Sequence, residues 1–189
     1  MTSVMDKADK VSGYVEECKK MGIALLPPDI NEGFGPFSVS EGKIRFGLSA
    51  IKNVGSGAVD LLVREREKNG PFQSMTDFCG RMDGGEWNKR SIESLIKAGA
   101  MDSLGGLRSQ YMAVYKGIMD GIGQAKKNNI EGQMNLFDIA GDNSFQKTDD
   151  LPKLKEFLPK ERLAMEREVL GIYVSGPPLA GYEERFGRK

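Results

Sequence analysis

The chain has 189 residues, and its 27 Lys and Arg balance 27 Asp and Glu, so no global basic field would draw it to nucleic acid. It contains no histidine, which excludes Ser-His-Asp and Cys-His catalytic sites and every zinc site that needs an imidazole. Two distant cysteines, no long apolar run and no signal-peptide core predict a soluble, cytoplasmic protein without a membrane partner.

The first 47 residues predict a small α/β portion. Apolar residues recur at helical spacing across residues 6–20, which predicts a helix. The apolar run 23–26 ends at two prolines, so a short extended stretch is expected there. Between residues 37 and 46, apolar residues alternate around Glu41-Gly42, which is typical of a β-hairpin.

The apolar period becomes helical at Leu48 and stays so to about Lys127, which predicts a mainly α domain. The glycines within residues 120–123 do not interrupt that period, so one long helix is expected to run through them. Residues 128–150 are polar and aperiodic and predict a flexible linker. Residues 161–170 predict a further, charged helix.

The segment 48–62 carries the strongest candidate for a binding site. It predicts two helices joined by a tight turn, with Val54 plugging the gap between them and Gly55 and Gly57 at the start of the second helix. The free N–H groups and the positive dipole end at that start suit a phosphate. The pattern resembles a helix-hairpin-helix motif, which binds the DNA backbone without reading sequence. The motif's first hairpin glycine is here Asn53, a residue that tolerates left-handed geometry.

A weaker copy follows at residues 91–101, where an Ile-Lys step again precedes a glycine turn. Residues 71–78 are expected to form the helix that connects the two copies. Residues 88–127 contain seven basic and three acidic side chains, which fits a phosphate-facing surface or a solvated helix face. An ordinary glycine-rich turn between helices is the alternative to a binding motif. The predicted DNA-binding residues are Lys52, Asn53, Val54, Gly55, Ser56, Gly57, Lys89 and Arg90.

A second candidate site lies in the polar stretch 128–150. Gln133 is followed by Met134, and then by the adjacent apolar residues Leu136 and Phe137, which have no periodic partner within the segment. An apolar anchor on a linker is typical of a docking peptide. The pattern Gln-x-x-Leu-Phe resembles the peptide by which bacterial polymerases and repair proteins bind the sliding clamp. A local hydrophobic contact with the domain surface is the alternative.

Four segments resemble, in the same order, the bacterial replicative DNA polymerase III alpha subunit (family C). Residues 14–31 are similar to its fingers region, and residues 43–55 to the entry of its tandem helix-hairpin-helix domain. Residues 132–137 take the place of its internal clamp-binding peptide, and residues 163–179 resemble the lead-in to its OB-fold domain. The family usually has a histidine where Pro177 stands.

The resemblance implies a mainly α fragment with four parts. These are the end of the fingers (1–47), the tandem helix-hairpin-helix domain (48–127), the clamp-binding linker (128–150) and the helix leading into an OB-fold (151–189). The family's catalytic aspartates, which hold two metals, lie on a palm domain for which this sequence has no counterpart. We therefore expect no catalytic residue and no cofactor here, with magnesium belonging to the palm of the parent polymerase.

The leading hypothesis is a non-catalytic piece of a DNA-directed DNA polymerase. Its expected partners are double-stranded DNA, the sliding clamp (the beta subunit) and other replisome subunits. A stand-alone helix-hairpin-helix repair or recombination protein that also binds the clamp is the alternative. A third reading is a helical scaffold without a nucleic-acid role, in which the glycine turns only join helices.

Overall fold

The computed structural model describes residues 8–82, 85–130 and 149–174. Helices dominate these ranges and one three-stranded sheet accompanies them, so the predicted mainly α fold with a small α/β portion is confirmed. Within the same ranges, no helix is long and apolar enough to cross a membrane.

The α/β portion consists of helix α1 (Ala8–Lys20) and strands β1 (Leu25–Leu26), β2 (Ser38–Ser40) and β3 (Lys43–Arg45). The central strand β3 pairs with β1 in parallel and with β2 in antiparallel orientation. Between β2 and β3, Glu41 and Gly42 have φ values of 51° and 73°. Two successive positive φ angles are the geometry of the tight hairpin turn that the sequence predicted.

The helical portion contains α2 (Ser56–Asn69), α3 (Met75–Arg81), α4 (Lys89–Ala98), α5 (Arg108–Ile130) and α6 (Pro159–Leu170). Side chains cap two of these helices at their first turn. The Ser74 side chain accepts from the N–H of Asp77 at the start of α3, and the Asn88 side chain accepts from the N–H of Ser91 at the start of α4. Such caps satisfy donors that the helix itself leaves free.

Helix α5 continues unbroken through its three glycines, as the apolar period predicted. The expected helix before the first hairpin turn is wrong, because residues Leu48–Ala50 form only a single 3-10 turn. The backbone N–H of Lys52, which a continuing helix would use internally, instead donates to the carbonyl of Val169 on α6 at 2.8 Å. This tertiary hydrogen bond therefore limits the helix to one 3-10 turn.

Described residues lie at both ends of the predicted linker 128–150. Helix α5 extends to Ile130, and the Asp149 carboxylate is bonded to the first turn of α3. Residues 131–148 lie outside the described residues, and the predicted flexibility of this stretch stays a prediction.

One hydrophobic core joins the two portions. It extends from Val11 on α1 to Ile172 after α6. The N–H of Ile30 donates to the carbonyl of Ala100 at 3.0 Å, and the buried Arg66 of α2 donates to the carbonyls of Ile30 and Gly33. These contacts cross the boundary predicted at residue 47. The α/β portion thus packs directly on the helices that carry the hairpin turn.

Candidate nucleic-acid interface

The first hairpin turn runs from the 3-10 helix to the start of α2. Asn53 has φ 65°, so it adopts the left-handed conformation in which the motif normally places glycine. Val54 is buried, with 6% of its surface exposed. Gly55 follows as the N-cap of α2 in an extended conformation.

Helix α4 holds this turn in place. The Ser91 hydroxyl donates to the Asn53 carbonyl at 2.9 Å, and the Asn53 amide donates to the Ser94 hydroxyl at 3.2 Å. Both serines are almost fully buried. No sequence pattern predicted a role for these serines, because that role depends on α4 packing against a turn about 40 residues away in the chain.

The start of α2 is chemically suited to an anion. No side chain in the described part of the chain donates or accepts a capping hydrogen bond there, and Ser56 and Gly57 are exposed. A Cβ atom on Gly55 would meet no atom within 4 Å, so a ligand can approach the backbone closely at this point. Uncapped N–H groups at the positive end of a 14-residue helix attract a phosphate oxygen.

The structure brings the predicted basic residues to the same region. Lys89 and Arg90 begin α4, whose next residue Ser91 is bonded to the turn, and Lys52 lies within the turn itself. All three side chains are exposed. Lys89 forms a 2.6 Å ion pair with Asp120 of α5, so part of its charge is already compensated.

An acidic residue near the site was not predicted. The Oε2 atom of Glu86 would lie 3.4 Å from a Cβ built on Gly57, which places its carboxylate beside the first turn of α2. Residues 83 and 84, which precede it, lie outside the described residues. A carboxylate in this place stabilises the helix start and competes with a phosphate for it.

The second, weaker hairpin copy differs from the first. Helix α4 ends at Gly99, which has φ 81°, and a 3-10 turn leads on to α5. At the start of α5, the N–H groups of Arg108 and Ser109 donate to the Glu156 carboxylate at 3.0 and 3.2 Å. Burial raises the pKa of Glu156, but backbone hydrogen bonds from Phe157, Arg108 and Ser109 together hold it below its ordinary value. The helix start that would bind a phosphate is therefore occupied by a side chain of the protein itself.

A buried ion pair fixes α6 against this second turn. Arg108 is 3% exposed and donates to the fully buried Glu166 of α6 at 3.1 Å. The other Glu166 oxygen accepts from the N–H of Val174 at 3.0 Å. Arg108 also donates to Asp102 and to the carbonyl of Lys97, so its charge is paired and its donors are used. A buried pair of this kind is structural, and it reinforces the contact between α6 and the hairpin turns.

The predicted clamp-binding residues Gln133, Met134, Leu136 and Phe137 lie outside the described residues. The structure does define where the chain enters and leaves that segment. It enters from the end of α5 at Ile130. It returns at Asp149, whose carboxylate accepts hydrogen bonds from the N–H groups of Met75 and Thr76 and from the Thr76 hydroxyl. This aspartate therefore caps α3. Among the described residues, no group of three or more His, Cys, Asp or Glu could hold a metal ion.

Comparison with known proteins agrees with the geometry of the first turn. A helix-hairpin-helix motif model matches residues 22–111, a range that includes the sheet, both glycine turns and helices α2 to α4. The match begins before residue 47, in keeping with the shared core.

Curated relatives match almost the whole chain. DNA polymerase III subunit alpha of Vibrio cholerae is 40% identical over 183 residues, which are 96% of this chain and 16% of that protein. The corresponding subunit of Mycobacterium leprae is 42% identical over 184 residues, covering 96% of this chain and 15% of the relative. That of Borreliella burgdorferi is 39% identical over 185 residues, covering 97% and 16%. The resemblance carried by the four segments is confirmed, and this chain spans 15–16% of the length of these relatives.

Proposed function

We propose that this chain, a relative of one segment of the DNA polymerase III alpha subunit, binds the backbone of duplex DNA and contributes no catalytic residue of its own. In the parent protein the segment would hold the primed duplex while another part of the molecule performs nucleotidyl transfer. Magnesium and the remaining replisome subunits belong to the parent in this proposal.

The uncapped start of α2 is the observation that carries the proposal. The left-handed Asn53 and the extended Gly55 lead into this helix start, where Ser56 and Gly57 are exposed. A phosphate oxygen accepts from such groups irrespective of base sequence, so binding is expected to show no sequence preference. Lys52, Lys89 and Arg90 supply local charge, which a chain of zero net charge needs for contact with DNA.

A double substitution of Gly55→Val and Gly57→Val tests the proposal. Neither new Cβ atom meets backbone: the site at Gly55 is open, and the nearest atom to Gly57 is the end of the Glu86 side chain. The fold should therefore survive, while the methyl groups block the approach of a phosphate. Duplex binding, measured by fluorescence anisotropy at several salt concentrations, should be lost.

The matched control is Gly80→Val with Gly117→Val, which places the same residues at two open helical positions on α3 and α5, outside the turn. This control should bind duplex DNA like the parent chain. Equal binding by the hairpin variant and the control, with helicity intact in both, would make the hairpin a purely structural turn.

We propose further that Gln133, Met134, Leu136 and Phe137 bind the sliding clamp. The support is the Gln-x-x-Leu-Phe pattern and its position between two described anchors, the end of α5 and Asp149. Leu136 and Phe137 would fill an apolar pocket, and the Gln133 amide would bond the pocket rim. Burying two such side chains contributes roughly 1.5–3 kcal/mol each before ordering costs, which suits a micromolar complex.

A modest affinity for the clamp is sufficient. The clamp and the hairpin bind the same DNA, so once one contact has formed, the other forms at a high effective concentration. Changing Leu136 and Phe137 to alanine should abolish heat release in calorimetry against the purified clamp and leave duplex binding unchanged. Asn143→Ala with Ser144→Ala is the control in the same segment and should bind the clamp normally. Unchanged clamp affinity in the Leu136 and Phe137 variant would refute the assignment.

The alternative of a stand-alone repair protein uses the same two surfaces. The reading frame upstream of this segment in the gene distinguishes the two functions. An upstream reading frame that encodes clustered aspartates on a palm domain supports the polymerase, and its absence supports the alternative.

A further inference from the structure

A groove of about 270 Å³ lies on the side of α2, away from the hairpin turn itself. Leu61, Arg64, Glu65 and Lys68 line it from α2, and Trp87 lines it from the segment before α4. The Glu65 carboxylate accepts from Arg81 and from the Asn69 amide. Arg81 of α3 forms another part of its wall. Neither the sequence motifs nor the function proposed above assigns a role to this groove.

Trp87, which lines the groove, carries a buried donor without a partner among the described residues. The residue is 8% exposed and its ring packs edge-on against Phe78, with centroids 5.4 Å apart. Its indole Nε1 is buried and has no hydrogen-bond partner within the described part of the chain. An unpaired buried N–H costs free energy, so an acceptor brought by a ligand would bind favourably here.

One cationic side chain of the groove is already hydrogen-bonded within the protein, and two are not in salt bridges with described residues. Arg81 is fully engaged, because it donates to the carboxylates of Glu65 and Asp77 and to three backbone carbonyls, including that of Gly70. Arg64 and Lys68 are exposed and form no salt bridge with another described residue. The groups left for a ligand are therefore an indole N–H, a guanidinium and an ammonium, all of which only donate. They select a ligand that only accepts, and a phosphate fits that description.

The groove also lies in line with the start of α2. Gly57, Leu61, Arg64 and Lys68 are spaced by four, three and four residues, which places them on one face of the helix. Arg64 is seven residues beyond Gly57, or roughly 10 Å along the helix axis. A nucleic-acid strand covers that distance in about three nucleotides. We propose that the groove binds a second phosphate of the nucleic acid held at the start of α2, through Arg64, Lys68 and the Trp87 indole.

This inference rests on the proposed function, and the single tryptophan of the chain allows the two to be tested separately. The indole N–H gives one isolated signal in a proton–nitrogen correlation spectrum. Titration of the full chain with duplex DNA, and separately with inorganic pyrophosphate, should shift that signal. Changing Arg64 and Lys68 to glutamine should abolish both shifts and, because one phosphate contact is lost, lower the salt slope of duplex binding by about one.

The control is Lys153→Gln with Lys160→Gln, an equal loss of charge at exposed positions outside the groove. It should keep both shifts. The Gly55→Val and Gly57→Val variant should lose the duplex but still show the pyrophosphate shift, which separates the groove from the hairpin.

Two results would overturn the groove proposal. The first is an indole signal that neither duplex nor pyrophosphate moves, in a chain that still binds duplex through the hairpin. The second is a signal that shifts with polyglutamate and not with duplex, because the groove would then accept an acidic protein segment. If the unsubstituted chain binds no duplex DNA but still shows the pyrophosphate shift, the proposed function is refuted and the groove proposal is not.

Discussion

The Ser91 hydroxyl donates a 2.9 Å hydrogen bond to the carbonyl oxygen of Asn53, and this bond ties the first turn of α4 to the hairpin. Ser91 is 2% exposed, so water does not compete for the bond. The left-handed residue of the turn is therefore fixed by a helix that lies far away in sequence. A pre-formed turn binds a phosphate without first ordering its own backbone.

Asn53 should tolerate glycine far better than valine. At φ 65° a β-branched side chain is strained, and Asn53→Val should lower the free energy of unfolding by about 1–3 kcal/mol. Asn53→Gly loses the amide bond to Ser94 but gains conformational ease, so its change should stay within about 1 kcal/mol. Urea denaturation of the two variants measures the difference. Equal stability of both variants would contradict the strained turn.

Removing the Glu86 charge should strengthen duplex binding. Its carboxylate lies beside the first turn of α2, where it competes with a phosphate. Two unit charges about 4 Å apart in water interact by roughly 1 kcal/mol, so Glu86→Gln should raise the affinity about fivefold at low salt. The gain should fade as salt screens it. Glu41→Gln, an equal charge change in the β-hairpin, should leave the affinity unaltered.

Asp149 should stabilise the fold although it lies at the end of a polar stretch. Its carboxylate accepts from the N–H groups of Met75 and Thr76 at 2.7 and 2.8 Å. Loss of this cap in Asp149→Ala should cost about 1–2 kcal/mol in thermal or urea unfolding. The neighbouring Asp150→Ala, at an exposed position, is the control and should change stability little. A variant at Asp149 as stable as this control would show that the cap contributes nothing.

Tyr115 should make stability depend on pH in the alkaline range. Burial, followed by its hydrogen bond to the Glu93 carboxylate, raises the pKa of Tyr115 to about 12. Because the folded pKa lies above the ordinary value of 10, the stabilisation is fully present below pH 10 and is lost as pH rises toward about 12. Burial also raises the pKa of Tyr111, so tyrosinate absorbance should show both buried tyrosines titrating late, and Tyr115→Phe should remove the Tyr115 contribution. Tyr14→Phe, at an exposed position, should leave both late contributions in place.

Local chemistry allowed several elements to be predicted from the sequence. The Glu41-Gly42 turn sets its own φ angles, so the β-hairpin followed from two residues and the alternation around them. Helix α5 followed from its apolar period, since glycine lowers helix propensity without ending a helix that packs against neighbours. The role of Asn53 was equally local, because its left-handed tolerance is a property of the residue.

Contacts between distant residues decided the rest. Asp149 caps α3 from 73–74 residues away, and Glu156 occupies the start of α5 from 47–48 residues away. The helix expected at Leu48 is limited to one turn because Lys52 donates to Val169.

The sequence by itself therefore determined the resemblance to the DNA polymerase III alpha subunit, the mainly α class and the turn whose backbone suits a phosphate. Only the tertiary structure decided that one helix start stays uncapped and exposed while the other is filled by a carboxylate. The physical reason is that a free helix start looks the same in sequence as an occupied one. Its state depends on which distant side chain the fold brings to it.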